Sequence, residues 1–245
     1  MFSRDYGKIA LVDKGGRRFK SKRGRLVPFA HLEITFYKSE RSSTGYISET
    51  ELIELFSFEK EGTMGRLAYA SAACELLHYL LSDEQPQPSL YNFFLTFLQM
   101  VEVAEKTSLP PLFITFFLQL LSQLGYHPSL TGCVGCGRVA DTHEDQTEEI
   151  LFSPERGGII CSACQTVGDY YIPFSYEDSR YLLKLQNASL NEAAGVPIGY
   201  SKATRLLDAL VKFVSYQTGA ISELKSLEFL EKLKNGYPAN GRGNK

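Results

Sequence analysis

Two short cysteine pairs limit this chain more than anything else in it. Cys133-Val-Gly-Cys136 and Cys161-Ser-Ala-Cys164 stand 24 residues apart. A C-x-x-C turn lets two thiolates approach one ion, and Gly135 and Gly137 permit backbone conformations that aim N–H groups at the sulfurs. Residues 150–152 and 158–161 read as two strands joined by a turn over 153–157, a hairpin that carries the second pair back to the first. Four soft thiolates suit tetrahedral Zn²⁺, and a shell of four protein ligands leaves no position for water or substrate. The spacing therefore favours structural zinc, one ion per chain, held by Cys133, Cys136, Cys161 and Cys164, over a redox dithiol or free thiols. The fifth cysteine, Cys74, stands alone in an apolar helical stretch and is expected to be a small buried hydrophobe.

Charge supplies the second constraint. The formal net charge is −2, but it is unevenly placed. Residues 1–41 hold eleven Lys and Arg against four acids, a net of +7, and the rest holds fifteen against twenty-four, a net of −9. Seven of the cations (Lys14, Arg17, Arg18, Lys20, Lys22, Arg23 and Arg25) fall within twelve residues that contain no acid and three glycines. A flexible basic connection of this kind can follow a phosphate backbone, with affinity drawn from counterion release. A merely solvated loop is the alternative, and the acidity of the rest of the chain tips the reading towards nucleic acid. Phe29, Phe36, Tyr37 and Tyr46 lie in or beside strands, where aromatics more often build core; Phe19, inside the basic run, is the candidate for stacking on a base.

The hydrophobic period divides the chain. Residues 8–12, the alternation of Leu32, Ile34 and Phe36 with Glu33, Thr35 and Tyr37, and residues 46–56 read as strands of a small β module. Helical stripes follow at Leu67, Ala70, Cys74, Leu77 and Leu81, at Leu90, Phe93, Phe94, Phe97, Leu98, Val101 and Ala104, and at Phe113, Phe116, Phe117, Leu120, Leu121 and Leu124. These three helices are expected to pack into one bundle. Ser175-x-x-Asp178 resembles a capping sequence, and further stripes run through Ala203, Leu206, Leu207, Leu210, Val211 and Val214 and through Leu224, Leu227 and Leu230. The expected class is α+β: a small β module over residues 1–58, then a helical domain over 59–245 carrying a zinc segment at 131–168. The most apolar stretch, residues 109–121, falls short of the ~20 residues that a membrane helix needs, and residues 1–8 show no export signal.

Catalytic constellations are weak. The sequence has no P-loop, no H-E-x-x-H and no G-x-S-x-G, and His31, His78, His127 and His143 are scattered. An acidic insert at residues 141–149 leaves a nuclease as the least favoured of three classes, behind a zinc-containing nucleic-acid-binding regulator or adaptor and a non-catalytic DNA-binding protein.

The run from Gly7-Lys-Ile through Asp13-Lys-Gly-Gly-Arg-Arg to Gly24-Arg-Leu-Val-Pro-Phe29 resembles the N-terminal module of the bacterial RecO family of recombination mediators. The run Gly132-Cys-Val-Gly-Cys-Gly137 with Phe152-Ser-Pro-Glu-Arg-Gly-Gly-Ile-Ile-Cys-Ser-Ala-Cys164 is similar to that family's zinc segment, and the segment from Leu224 to Leu233 also fits. The resemblance implies that the β module over residues 1–58 is OB-fold-like, and that the protein is cytoplasmic, nucleoid-associated, without catalysis and active in RecF-pathway DNA repair. Such proteins bind single- and double-stranded DNA, anneal complementary strands, and work with RecR to load recombinase. They also grip the C-terminal tail of single-strand binding protein through the helical domain, at a pocket with no match to particular residues here. Carried over by position, the seven cations of residues 14–25 belong to the DNA-binding surface and the four paired cysteines are the zinc ligands. One departure stands out. Family chains carry a first strand and most of a second, out of a five-stranded barrel, ahead of the segment matching Phe2-Ser-Arg-Asp-Tyr-Gly-Lys8. Residues 1–56 are therefore expected to form only part of a barrel, of three strands. Met1 is then an internal methionine of a longer natural protein, a shortened functional variant being the alternative.

Overall fold

A computed structural model describes residues 1–14, 26–39, 41–59, 63–139 and 150–234. The chain is α+β and falls into two compact units, residues 1–63 with 81–103, and residues 64–80 with 104–245.

The first unit is built on strands. β1 (Phe2–Ser3) and β2 (Gly7–Lys8) form a short antiparallel ribbon. β3 (Ala10–Val12), β4 (Ala30–Tyr37) and β5 (Thr44–Leu55) form a sheet in the order β3-β5-β4, with β5 parallel to β3 and antiparallel to β4. The continuous sheet thus has the three strands expected, and the ribbon stands apart from it. Register shifts between His31 and Leu32 and between Thr35 and Phe36 mark bulges, which add local twist to a long pair. The helix α2 (Pro88–Val103) belongs to this unit rather than to a bundle with its neighbours. Its attachments explain why: the Phe2 ring lies 5.7 Å from Tyr91 and 6.3 Å from Phe94, and the Glu102 carboxylate accepts the Phe58 N–H at 3.0 Å. The expected three-helix bundle is corrected accordingly.

The second unit is organised around α3 (Leu109–Gln123), which begins with Pro110 and Pro111, residues that suit a first turn because its N–H groups have no helical partner. Leu112, Phe113, Ile114, Phe116, Phe117, Leu118, Leu120 and Leu121 are all fully buried, so this helix is apolar on every side and forms the core. Packed on it are α4 (Tyr176–Asn187), α5 (Leu190–Ala194) and α6 (Tyr200–Thr218). The Thr115 hydroxyl donates to the Leu185 carbonyl at 3.3 Å and the Gln119 amide to that of Ala188 at 2.6 Å, fixing the end of α4. The capping box at Ser175 forms as its sequence suggests, and Asp178 also accepts both arms of the Arg205 guanidinium at 2.7 and 2.8 Å. α7 (Lys225–Lys234) is docked by Glu75, whose carboxylate accepts the Lys225 and Ser226 N–H groups at 2.8 and 2.9 Å. Glu75 sits on α1 (Thr63–Leu80), whose Cys74 is exposed and not buried as expected. The buried face of α1 runs through Tyr69, Ala70, Ala73, Leu76 and Leu77, leaving Cys74 outside it.

Between α3 and α4 lies a sheet of β6 (Ile150–Ser153), β7 (Gly158–Cys161) and β8 (Ile172–Phe174) in the order β7-β6-β8. The hairpin of β6 and β7 matches the sequence expectation; β8 is additional.

Candidate metal centre and nucleic-acid interface

The hairpin does bring the two cysteine pairs together. Ser129 donates to the Gly157 carbonyl at 2.8 Å and accepts from the Ile159 N–H at 3.0 Å, and Val134 donates to the Ile159 carbonyl at 2.9 Å. The first pair is thereby stitched alongside β7, whose last residue is Cys161. Gly158 makes this approach possible, because a Cβ there would stand 2.5 Å from the Ser129 carbonyl oxygen. Cys164 follows on a single 3₁₀ turn, Ser162–Cys164, and closes over the first pair. A Cβ at Gly135 would lie 2.7 Å from that of Cys164, so the knuckle closes only over a glycine.

The four Sγ atoms lie within 4.8 Å of one another, with Cys136 and Cys161 at 3.9 Å. Tetrahedral metal–sulfur bonds of about 2.3 Å require sulfurs about 3.8 Å apart, so the cluster fits such an ion with small adjustments. The Cys133 sulfur accepts the Gly135 N–H at 3.3 Å and the Cys161 N–H at 3.4 Å. Burial alone would raise this thiol, but those backbone donors outweigh it and bring it down to about 6. Cys164, sharing its proton with Cys161 and Cys136, is pushed up to about 12, and burial together with Cys133 raises Cys161. Without a metal the cluster is a set of thiols competing for protons, and an ion in their midst displaces those protons. Gly137 donates to the Cys133 carbonyl at 2.8 Å and closes the turn from φ +73°, a conformation that favours glycine. Cys133 and Cys161 also pack with Ile160, Val134, Leu151 and Tyr171, so the cluster has an apolar floor. These four cysteines can hold a metal ion.

Of the basic run, only Lys14 falls among the described residues; Arg17, Arg18, Lys20, Lys22, Arg23, Arg25 and Phe19 lie outside them, as does the acidic insert at 141–149. The Lys14 ammonium stands over the Tyr46 ring, 3.9 Å from its centroid. Tyr46 pairs with Tyr37 across β5 and β4, the rings 5.8 Å apart, and Tyr37 is 61% exposed. The sequence put both tyrosines among strand aromatics that usually build core; alternation marks the two faces of a strand but does not say which face is covered.

Two family models match the chain. One is described as Recombination protein O N terminal, over residues 1–56, and the other as Recombination protein O C terminal, over residues 62–228. The chain belongs to the RecO family. Among its relatives, the DNA repair protein RecO of Symbiobacterium thermophilum is 30% identical over 236 residues, which is 96% of this chain and 90% of that protein. The RecO proteins of Desulfitobacterium hafniense and of Listeria monocytogenes serotype 4b are 34% and 32% identical over 170 and 165 residues. Those two matches cover 69% and 67% of this chain but only 58% and 60% of the relatives. Relatives over most of the chain are thus named as DNA repair proteins. No helix among the described residues is long and apolar enough to cross a membrane.

Proposed function

We propose that this protein is a DNA-binding recombination mediator of RecF-pathway repair, without catalysis of its own, that anneals complementary single strands and loads recombinase together with RecR. The observation that carries this reading is the match to a protein named DNA repair protein RecO along 96% of the chain. The density of cations in residues 14–25 supports a polyanion as ligand, because affinity for DNA comes first from phosphate neutralisation. In this reading residues 1–58 act as an OB-fold-like nucleic-acid module, and the parallel and antiparallel neighbours of β5 suit an open barrel. The seven cations, Lys14 included, belong to its DNA-binding surface. Residues 59–245 supply the helical domain, which takes the C-terminal tail of single-strand binding protein. The protein works in the cytoplasm, on the nucleoid.

Cys133, Cys136, Cys161 and Cys164 hold Zn²⁺ in this reading. The ion supplies four bonds that tie the 133–136 turn to the 161–164 turn and, having no open position, no reaction. The decisive experiment is strand annealing of complementary oligonucleotides without nucleotide and without Mg²⁺. Annealing well above the spontaneous rate is expected. A protein that binds neither strand, or that degrades them when Mg²⁺ is added, overturns the reading.

A further inference from the structure

The outward face of the β3-β5-β4 sheet is chemically polarised. In the β4–β5 register, Glu33 lies opposite Glu51, Thr35 opposite Glu49, and Tyr37 opposite Tyr46, and opposed residues share a face. Glu33, Glu49, Glu51 and Tyr37 are all exposed. β3 extends the last of these rows, because Val12 pairs with Tyr46 in the parallel register and is itself 41% exposed. One row across three strands therefore reads Val12, Tyr46, Tyr37, with the Lys14 ammonium over the middle ring. Beyond it lies the β4–β5 turn with the exposed Arg41. One end of the face is acidic, and the other is aromatic with cations beside it.

We infer that the Val12–Tyr46–Tyr37 row is a stacking platform for the bases of single-stranded DNA, and that it favours single strands over duplex. The inference rests on the DNA-binding reading above and adds to it the residues that distinguish unpaired from paired DNA. The exposed Tyr37 ring can accept a base irrespective of sequence, because every base has a π-face, and the half-buried Tyr46 backs it beneath the Lys14 ammonium. Paired bases are stacked on one another and cannot lie on these rings. A purely apolar partner would leave the Lys14 ammonium unpaired, whereas a nucleic-acid strand meets the ring with a base and the cation with a phosphate. Glu33, Glu49 and Glu51 repel phosphate from the far end of the face, so the strand is confined to the row beside Lys14 and Arg41.

The chain contains no tryptophan, so Tyr37→Trp places a single indole reporter on the platform. Titrated with a mixed-sequence 30-nucleotide strand, its emission should be quenched, with little change when the matching duplex is added at saturating concentration. Tyr37→Ala should weaken single-strand binding about tenfold, leave duplex binding within about twofold, and keep the salt slope, since the same phosphates stay neutralised. Tyr37→Phe should restore wild-type affinity. If the wild-type chain binds single strands but Tyr37→Ala binds them as well and the Tyr37→Trp emission does not respond, the platform is wrong and the DNA-binding reading stands. If the wild-type chain binds no DNA, both fall together.

Discussion

In the proposed function, the cysteine segment and the basic run meet their ligands on opposite terms. At the cysteines every ligand atom has a fixed place: two tight turns, a hairpin and glycines at 135 and 158 hold four sulfurs within 4.8 Å. A metal ion has a small coordination shell and rewards only that placement. A phosphate backbone presents charge at short intervals along a line, and rewards density of cations more than their individual positions. Seven cations within twelve residues supply that density, whatever their individual positions. In that function one region works through distances and the other through composition, and each should fail in its own way.

The sharpest test of that difference is at the metal. Cys161→Ser should remove bound zinc, about one equivalent per chain by elemental analysis in the wild type, and unfold the 131–168 segment, because metal-binding energy there is folding energy. Proteolysis within that segment, slow in the wild type and fast in the variant or after chelation, reads the effect. Wild-type protein purified reduced and free of zinc, yet resistant to protease, would falsify the structural-metal reading. At the basic run the loss should instead be graded. Replacing Arg17, Arg18, Lys22 and Arg23 by Glu should weaken single-strand and duplex binding alike. The plot of log K against log salt should flatten by ~0.7 for each single-strand phosphate that the protein no longer neutralises. Thermal stability should stay unchanged. An abrupt loss from any one of these substitutions would mean that the run, too, is a site of fixed geometry.

The same contrast explains what could be read from the sequence. The hairpin, the cysteine cluster and the Ser175 cap are local devices whose residues stand within a few positions of one another, so spacing alone reveals them. β8 escaped because it is three residues long with Pro173 at its centre, which a strand tolerates only where no N–H is needed. Cys74 is exposed because the stripe through Leu67, Ala70, Cys74 and Leu77 shares only Ala70 and Leu77 with the buried face, which continues instead through Tyr69, Ala73 and Leu76. The stripe on α2 was visible, but an apolar stripe does not specify its partner, and the β module rather than α1 and α3 received it. Exposure of Tyr37 depends on what covers a sheet face, which no strand pattern encodes.

An intermediate case lies just past the cysteine segment. Asp178 is buried and held by Arg205 and Ser175, with the Lys202 ammonium at 3.7 Å. Burial alone would raise this carboxyl, but Arg205 and Ser175 outweigh it and hold it below the ordinary Asp range. The unfolded chain then binds the proton more tightly than the folded one. The stabilisation is complete above the unfolded value, near 4, and is lost as pH falls through the lower folded value. Arg205→Met should lower stability by about 2 kcal/mol near neutrality, less than the ~3–5 kcal/mol of a fully buried pair because Arg205 is partly exposed and Lys202 remains. Its stability should also fall less steeply than the wild type's below pH ~4. Parallel acid limbs in the two proteins would place the proton uptake elsewhere.

The smallest expected effect separates the metal segment from the helix that follows it. Ser175 lies directly after β8 and caps α4, its hydroxyl accepting the Asp178 N–H at 3.1 Å while the Asp178 carboxylate accepts the Ser175 N–H at 3.0 Å. Ser175→Ala removes the first of these bonds and leaves the second, so the loss should be about 1 kcal/mol, the usual cost of an N-cap. All partners of this cap lie on α4 and α6, and none is a cysteine. The destabilisation measured by urea unfolding, followed by helix content, should therefore be equal in zinc-loaded and chelated protein. If chelation abolishes the difference between Ser175→Ala and wild type, α4 is ordered through the metal, and the region fixed by coordination geometry extends beyond the four cysteines into the helical core.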